Sequence, residues 1–481
     1  MSTVESRSSR RWWALLLIAT AQFMVIMDTS IIGVALPRIQ ADLGFSQENL
    51  SWVFNAYVIA FGGLLLLGGR LSDLLGARRV FNIGWLVLLA GSAVAGAAGA
   101  IWVELAGRAL QGVGAALIAP AALTLLMMLF GGNPRELTKA LSLYGAAAPA
   151  GGTAGVFLGG VITEYIDWPW VFYINIPIAL IVLAATPALM PAGASRRGST
   201  DVLGAVTVTA GLAVGVYAIV RAPEAGWGSA ETVIGLVLAV ALLGVFLAMQ
   251  AKRRAPLVRL GIFGTPNLGA ANLAQLLLGA AWIPMWFFLN LYLQQVLGLG
   301  AFASGSALLP TTTIIMVIMI AVAPRLMARF GAKPMVVAGL VVLALGLVWL
   351  SFVRPTGSFW ADVLPASLVT ATGMALAFVP SLGTAISSAR PEEGGLASGI
   401  VNTSYQIGSA LGLAAMTALA TSLGAGRLGE PEALTDGISA AFLGAAGIAV
   451  AGALLAGATL RGRRTAAPSQ PSGADSVDSL A

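Results

Sequence analysis

Cysteine and histidine are both missing from the 481 residues. Without cysteine there is no disulfide, no thiol nucleophile and no thiolate metal site. Without histidine the commonest proton carrier and metal ligand is gone. Charge is scarce too: Asp, Glu, Lys and Arg make up 10% of the chain, against about a quarter in an ordinary soluble protein. What remains is 58% hydrophobic and is laid out in runs of about 20 residues, each long enough to cross roughly 30 Å of hydrocarbon as a helix. No soluble domain fits between the runs, so the chain reads as an all-α membrane protein. No cofactor or metal is expected, and the phosphate-binding pattern GxxxxGK followed by Ser or Thr, which would mark ATP drive, does not occur.

Fourteen apolar segments can be counted, at 12–36, 50–70, 80–99, 101–127, 139–161, 171–190, 202–221, 231–250, 268–296, 304–325, 335–353, 359–386, 396–420 and 437–460. The stretch MSTVESRSSRR ahead of the first has the basic start of a secretory signal. The apolar segment then runs on to Pro37 without a small-residue cleavage site, so it is read as a retained first span. With the N-terminus placed inside, the basic residues fall almost wholly on one side. Of the 26, only Arg38, Arg221, Arg354 and Arg427 lie in outer loops and Arg108 within a span. Basic loops are retained in the cytoplasm, so both termini are expected there and the net charge of +6 reports topology instead of nucleic-acid binding.

Hydrophilic joints at 191–201 and 251–266 divide the chain. Residues 1–190 form a first six-helix bundle, 191–266 two additional spans with linkers, 267–460 a second six-helix bundle, and 461–481 a tail rich in Ser, Pro and Ala that is expected to be disordered. The stretches GRLSDLLGARR at 69–79 and PRLMARFGAKP at 324–334 align without gaps, with Arg70/Arg325, Leu71/Leu326, Gly76/Gly331 and Ala77/Ala332 identical. Each follows the second span of its half on the cytoplasmic side. Two similar halves related by an axis along the membrane normal are a transporter plan with the substrate site near mid-membrane between them.

GRLSDLLGARR also resembles the signature GxLaDrxGrkxxl of the major facilitator superfamily, and the span count is like that of its drug:proton antiporter branch. Gly69, Leu71, Asp73, Gly76, Arg78 and Arg79 match, while Leu74 and Ala77 replace usually basic residues. Gly76 permits a tight turn, and Asp73 supplies a negative charge suited to the N-terminus of span thirteen, at GGLASG, as a cytoplasmic gate. MDTSIIGVALP in span one resembles LDxTIVNVALP, with Asp28 at the acid and Gly33 where Asn is usual. LAGRALQGVGAA in span four is similar to RxxQGxGAA. GGTAGVFLGG in span five resembles the antiporter motif GxxxGPxxGG through Gly151, Gly155, Gly159 and Gly160, with Val156 in place of the proline. WPWVFYINIP, LYLQQVLG and GLASGIVNTSYQIG carry further likeness. The resemblance implies a major facilitator fold of two six-helix bundles plus two extra helices, and a span-five glycine face that seals the cytoplasmic side against leak.

Charges at membrane depth are costly and face a cavity or a partner. Asp28 lies about 22 Å from the inner end of span one and Arg108 about 10 Å from the outer end of span four, at 1.5 Å per residue, so their depths nearly coincide. The resemblance places both helices around the central cavity. A neighbouring cation favours the carboxylate and burial favours the acid, so the pair is poised between two states. Asp28 is read as the proton carrier tuned by Arg108; the competing reading is a static bridge. Glu104, one helical turn before Arg108, is a rival partner nearer the outer surface, and Asp362 a weaker second carrier. Cavity walls are assigned to Asn55 and Tyr57 in span two, Trp282, Trp286 and Asn290 in span nine, and Asn402, Tyr405 and Gln406 in span thirteen, where aromatic faces with a few amides suit flat apolar ligands. Pro284 and Pro310 are expected to kink their helices near the cavity.

The expected function is proton-driven export of small amphipathic or lipophilic compounds by alternating access, of the multidrug kind, with the chain acting as a monomer on substrate, protons and lipid and binding no nucleic acid. The alternative is an exporter of one endogenous metabolite, lipid or antibiotic. An enzyme would need clustered acids, a Ser nucleophile with its base, or metal ligands within the spans.

Overall fold

The computed structural model describes residues 2–191, 201–253, 256, 260–265, 267–389 and 394–461. The expected disordered tail lies outside these from residue 462 on. Arg196, Arg197, Arg254, Arg259 and Arg390 also lie outside them, together with the side chains of Arg7, Asp73 and Arg135.

Hydrocarbon offers no partner to a bare backbone N–H or C=O, so an apolar run crosses it as a helix that satisfies its own backbone. Fourteen such helices are described: spans one to six are Arg10–Leu43, Gln47–Ser72, Ala77–Gly96, Ile101–Phe130, Lys139–Tyr165 and Trp170–Leu189; seven and eight are Val202–Ala222 and Ala230–Lys252; nine to fourteen are Leu268–Val296, Ala301–Phe330, Ala332–Leu350, Phe359–Ser388, Ala397–Ala425 and Pro431–Thr459. Several run past the ends read from the sequence. Span one continues through Pro37 to Leu43 instead of stopping at residue 36. The number being even, Arg10 and Leu460 end on one face, here termed the terminal face; the opposite one is the far face.

Packing partners repeat between the halves with an offset of eight spans. Span one lies along span five as span nine lies along thirteen, and span three along four as eleven along twelve. The turn residues repeat as well. Gly76, between spans two and three, has φ 89°, and its aligned counterpart Gly331, between spans ten and eleven, has φ 80°. Both sit in the left-handed region where a Cβ is penalised, which explains why the two glycines persist in otherwise divergent stretches.

Span ten is interrupted. A break at Leu308 precedes Pro310, and a π-helical turn covers Ile318–Val322. Pro284 sits inside a continuous helix in span nine, which closes with a second π turn at Tyr292–Val296. Span seven packs against both span two and span thirteen, covering the seam between the halves, and span eight packs on span seven. That hairpin is clamped by buried Asp201, which accepts from Arg253 at 2.6 Å and from Gln250 at 2.7 Å.

The halves meet along two seams: spans two and thirteen stay in contact from mid-membrane, where Gly62 meets Gln406, to near the terminal face, where Gly399 meets Leu66, while spans five and ten meet towards the far face. Spans five and ten touch through the first two segments of span ten and diverge before its last segment, Ala323–Phe330. Gly160 backs onto Ala301 and Phe302, and Gly305 onto the Val156 carbonyl. Glu164 accepts from the Ala301 amide at 2.8 Å. Three amides close a ring across the seam: Gln40 donates to Gln47 (2.9 Å), Gln47 to Gln295 (3.4 Å) and Gln295 back to Gln40 (2.7 Å). Gln294 donates to the Val34 carbonyl at 2.9 Å. In this conformation the far face is shut and spans five and ten part towards the terminal face.

Candidate functional site

Span four brings Arg108 into the middle of the first half, where the side chain is 0% exposed. Its Nη1 donates to Asp28 Oδ2 at 2.6 Å and to Gln111 Oε1 at 2.7 Å, and its Nε to the Val53 carbonyl at 3.0 Å. The guanidinium lies 4.7 Å from the Tyr57 ring centroid and 5.9 Å from that of Phe172, a cation held on aromatic faces as well as by charge. Because Gln111 accepts through its oxygen, its amide nitrogen is free to donate, to Asp28 Oδ1 at 3.0 Å and to Ser92 at 2.9 Å. Asn175 donates to the same Oδ1 at 2.9 Å and to Ser92 at 3.1 Å. Asp28, 1% exposed, therefore accepts three hydrogen bonds from spans four and six. All three neighbours donate to it, which is the arrangement of a carboxylate.

The pair thus faces the interior of the first half, towards spans three and six, and has no opening to solvent in this conformation. Glu104 does not compete for Arg108 here. It is 0% exposed, and neither oxygen has a hydrogen-bond partner among the described residues. The start of span four is covered by its neighbours although it lies near a helix end. Asp362 forms a two-toothed pair with Arg354, at 3.1 Å for each bond, and caps the Ser358 amide at 2.6 Å on the far face.

The residues assigned to the cavity wall are distributed differently. Tyr57 and Asn55 are both 0% exposed; Tyr57 lies under Arg108 with its hydroxyl donating to the Val25 carbonyl, so neither lines an open cleft in this conformation. Trp282 and Trp286 stack at 6.0 Å between centroids. Trp286 and Asn290 border Gly33 of span one, where a Cβ would come within 3.1 Å of Asn290 Nδ2. The departure at position 33 from the usual Asn thus matches an Asn supplied from the opposite half. Asn402, Tyr405 and Gln406 are half-buried on span thirteen. Tyr405 meets Phe378 edge to face, and Gln406 crosses span two at Gly62. An apolar groove of about 660 Å³ opens beside Leu309, Thr313 and Val317 of span ten and Leu368 of span twelve. Of its lining the sequence reading named only Pro310, as a kink, since no charge or ring marks the rest.

The glycine motif of span five also divides. Gly151, Gly155 and Gly159, one turn apart, back onto span one at Phe23, Met27 and Ile31, whereas Gly160 backs onto span ten. Span five remains helical through Val156. The seam that Val156 and Gly160 form with span ten lies towards the far face. In the gate motif Arg78 donates to the Met190 carbonyl at the end of span six (3.2 Å), Arg79 is exposed and Gly69 borders Pro120 without crowding. The proposed contact of the Asp73 side chain with the start of span thirteen lies outside the described residues.

The model of the Major Facilitator Superfamily matches residues 18–413 and 313–480. The chain is 39% identical over 445 residues to the cephamycin export protein CmcT of Amycolatopsis lactamdurans, covering 92% of this chain and 91% of that protein. It is 36% identical over 436 residues to the puromycin resistance protein pur8 of Streptomyces alboniger, covering 89% and 86%. Among solved structures it is similar to a bacterial homolog of the human lysosomal transporter Spinster in an inward-facing, unoccupied conformation, with TM-score 0.67, 14% identity, and coverage of 94% of this chain and 98% of that one.

Proposed function

We propose that this chain, which belongs to the Major Facilitator Superfamily, exports small amphipathic or lipophilic compounds across the plasma membrane in exchange for protons, acting as a monomer with both termini in the cytoplasm. On that orientation the terminal face is cytoplasmic, and it is towards the cytoplasm that spans five and ten part. The observation that carries the reading is the buried Asp28–Arg108 pair at 2.6 Å, completed by uncharged donors alone.

In this conformation Asp28 has surrendered its proton. Its carboxylate ties span one to spans four and six, and substrate is taken up from the cytoplasm. In the outward-open conformation a proton from outside neutralises Asp28. Removing one partner's charge from a buried pair costs about 3–5 kcal/mol, which corresponds to a population shift of about a hundredfold or more. Proton binding is thus strong enough to change which conformation is favoured.

The experiment is purified protein in liposomes under an imposed pH gradient, with a panel of amphipathic compounds that includes a cephamycin and puromycin. Gradient-driven accumulation that disappears in Asp28→Asn supports the reading; accumulation that survives the substitution returns Asp28 and Arg108 to a structural bridge. A second reading, a dedicated exporter of one antibiotic, is favoured by the relatives named for single compounds. Transport of one panel member alone selects it.

A further inference from the structure

Glu104 is a buried acid that the cycle above does not use. Its carboxyl is 0% exposed, and both oxygens lack a partner among the described residues. One turn further along the same helix the Nη2 nitrogen of Arg108 is also buried and unpartnered, as are both polar atoms of the Asn55 side chain on span two. The charged groups that bear on Glu104 are Arg108 on its own helix and Asp28 on span one. Span three, packed along span four, carries its only charges, Arg78 and Arg79, at the opposite end; span two has Glu48 at its far-face start, beside Gly426 of the second half, Arg70 at its terminal-face end, and the neutral Asn55 and Tyr57 between.

Three ionisable side chains therefore share a dry site: two acids and one base. With both acids ionised the site would hold a net charge of −1 away from water, a cost that proteins avoid by protonating one of them. Arg108 decides which. In this conformation it is committed to Asp28, so the surplus proton belongs on Glu104. Depth gives the order of the two acids. At 1.5 Å per residue Glu104 lies about 4–5 Å from the far-face end of span four and Arg108 about 10 Å, so Glu104 stands between the far face and the ion pair.

We infer that Glu104 is a second proton-binding site, which holds its proton while Arg108 pairs with Asp28 and passes it to Asp28 when the guanidinium turns to Glu104. In that step the O–H bond of the Glu104 carboxyl breaks and one forms on Asp28. The Glu104 carboxylate then takes Arg108 as its partner, and the site as a whole stays neutral. The far face supplies the next proton to Glu104, and the cytoplasm receives the one on Asp28. This inference rests on the proton-exchange reading of Asp28.

Infrared difference spectroscopy on the purified protein reads the protonated carboxyl directly, without transport. At neutral pH the wild type should show the carbonyl band of a protonated, water-excluded acid. Glu104→Gln should abolish it while leaving folding and Tm unchanged, because glutamine mimics the neutral acid. Asp28→Asn should abolish it too, because Arg108 then pairs with Glu104 and strips its proton. A band that persists in Asp28→Asn, or is absent from the wild type, overturns the inference. In liposomes Glu104→Gln should lose at least tenfold in gradient-driven transport while keeping substrate counterflow; unchanged gradient-driven transport overturns it as well. If the wild type shows no gradient-driven transport but the infrared pattern holds, the exchange reading has failed and the second proton site has not.

Discussion

Replacing Gln295 with alanine removes two hydrogen bonds that exist only while the far face is shut. One, to Gln40, is 2.7 Å long; the other, from Gln47, is a weaker 3.4 Å. In the open state these amides face water and lose nothing by the substitution. A neutral hydrogen bond contributes about 0.5–1.5 kcal/mol net, so the pair contributes about 1–2 kcal/mol to closure and the closed-to-open ratio should fall about five- to thirtyfold. Gln40 and Gln47 keep their mutual bond at 2.9 Å, but Gln40 Oε1 and Gln47 Nε2 lose the partners that Gln295 gave them, which weakens closure further, so the stated factor is a lower bound. The absence of cysteine makes the assay direct. Spin labels on Arg38→Cys at the end of span one and on Trp360→Cys, 74% exposed at the start of span twelve, report the far-face separation by pulsed electron resonance with no background sites. The longer-distance population should grow by at least the stated factor. Tyr144→Phe, which removes only the bond to Gln22 inside the first half, should leave it unchanged. An unchanged distribution in Gln295→Ala would mean that the amide ring follows closure without contributing to it.

Gly33→Asn restores the residue usual in the resembling signature, but its Cβ falls 3.1 Å from Asn290 and 3.6 Å from the Trp286 nitrogen; overpacking of about 1–3 kcal/mol should open the far face in the same spin-label measurement, and Asn290→Ala should reverse it. Arg108→Lys keeps the charge but cannot reach Val53, Asp28 and Gln111 at once, so gradient-driven transport should drop at least tenfold with the protein still folded by size-exclusion chromatography. Gly155→Leu drives a side chain into the Met27 carbonyl, 2.8 Å from the position of its Cβ, and should lower Tm through loss of the span one to span five contact, whereas Gly145→Leu, with open space around it, should not.

The spans were legible because nothing in the chain competes with them: each apolar run has no rival reading as strand or soluble helix. The relation between the halves was legible from Gly76 and Gly331, since a left-handed turn leaves a trace that apolar residues do not. The meeting of Asp28 with Arg108 followed from their matching depth, the rise per residue being fixed along both helices, together with the family resemblance that sets both helices around one cavity. Their neutral partners did not follow. Gln111, Ser92 and Asn175 are ordinary polar residues within spans, although Gln111 lies almost one turn from Arg108 and Asn175 lies in WPWVFYINIP, both within stretches that carried the family resemblance. Which way Asn55 and Tyr57 face was illegible because span two is apolar on every side, so no stripe marks its cleft. The glutamines of the far-face ring sit at helix ends, where polar residues are commonplace, and only the π turn at 292–296 brings Gln295 to Gln40.

Span one explains how a proton at one depth can act on a gate at another. Asp28 fixes its middle to spans four and six. Five residues on, Gly33 lies against Asn290 and Trp286, and Val34 accepts from Gln294; twelve residues on, Gln40 closes the amide ring. About 18 Å of continuous helix thus carries the proton-binding carboxylate and the far-face contacts on one rod. Gly151, Gly155 and Gly159 bring span five so close to that rod that no side chain separates them, and the far end of span five holds Gly160 and Glu164 against span ten. A tilt of span one released by neutralising Asp28 must therefore carry span five with it and disturb both sets of far-face contacts between the halves together. Interfaces packed this tightly switch between discrete arrangements instead of deforming gradually, which is the property that alternating access requires. If the rod is the coupling element, a flexible Gly-Gly pair replacing Ile31 and Ile32 should leave the Asp28–Arg108 pair intact by infrared spectroscopy while making the far-face distance insensitive to pH; a far face that still follows pH would place the coupling elsewhere.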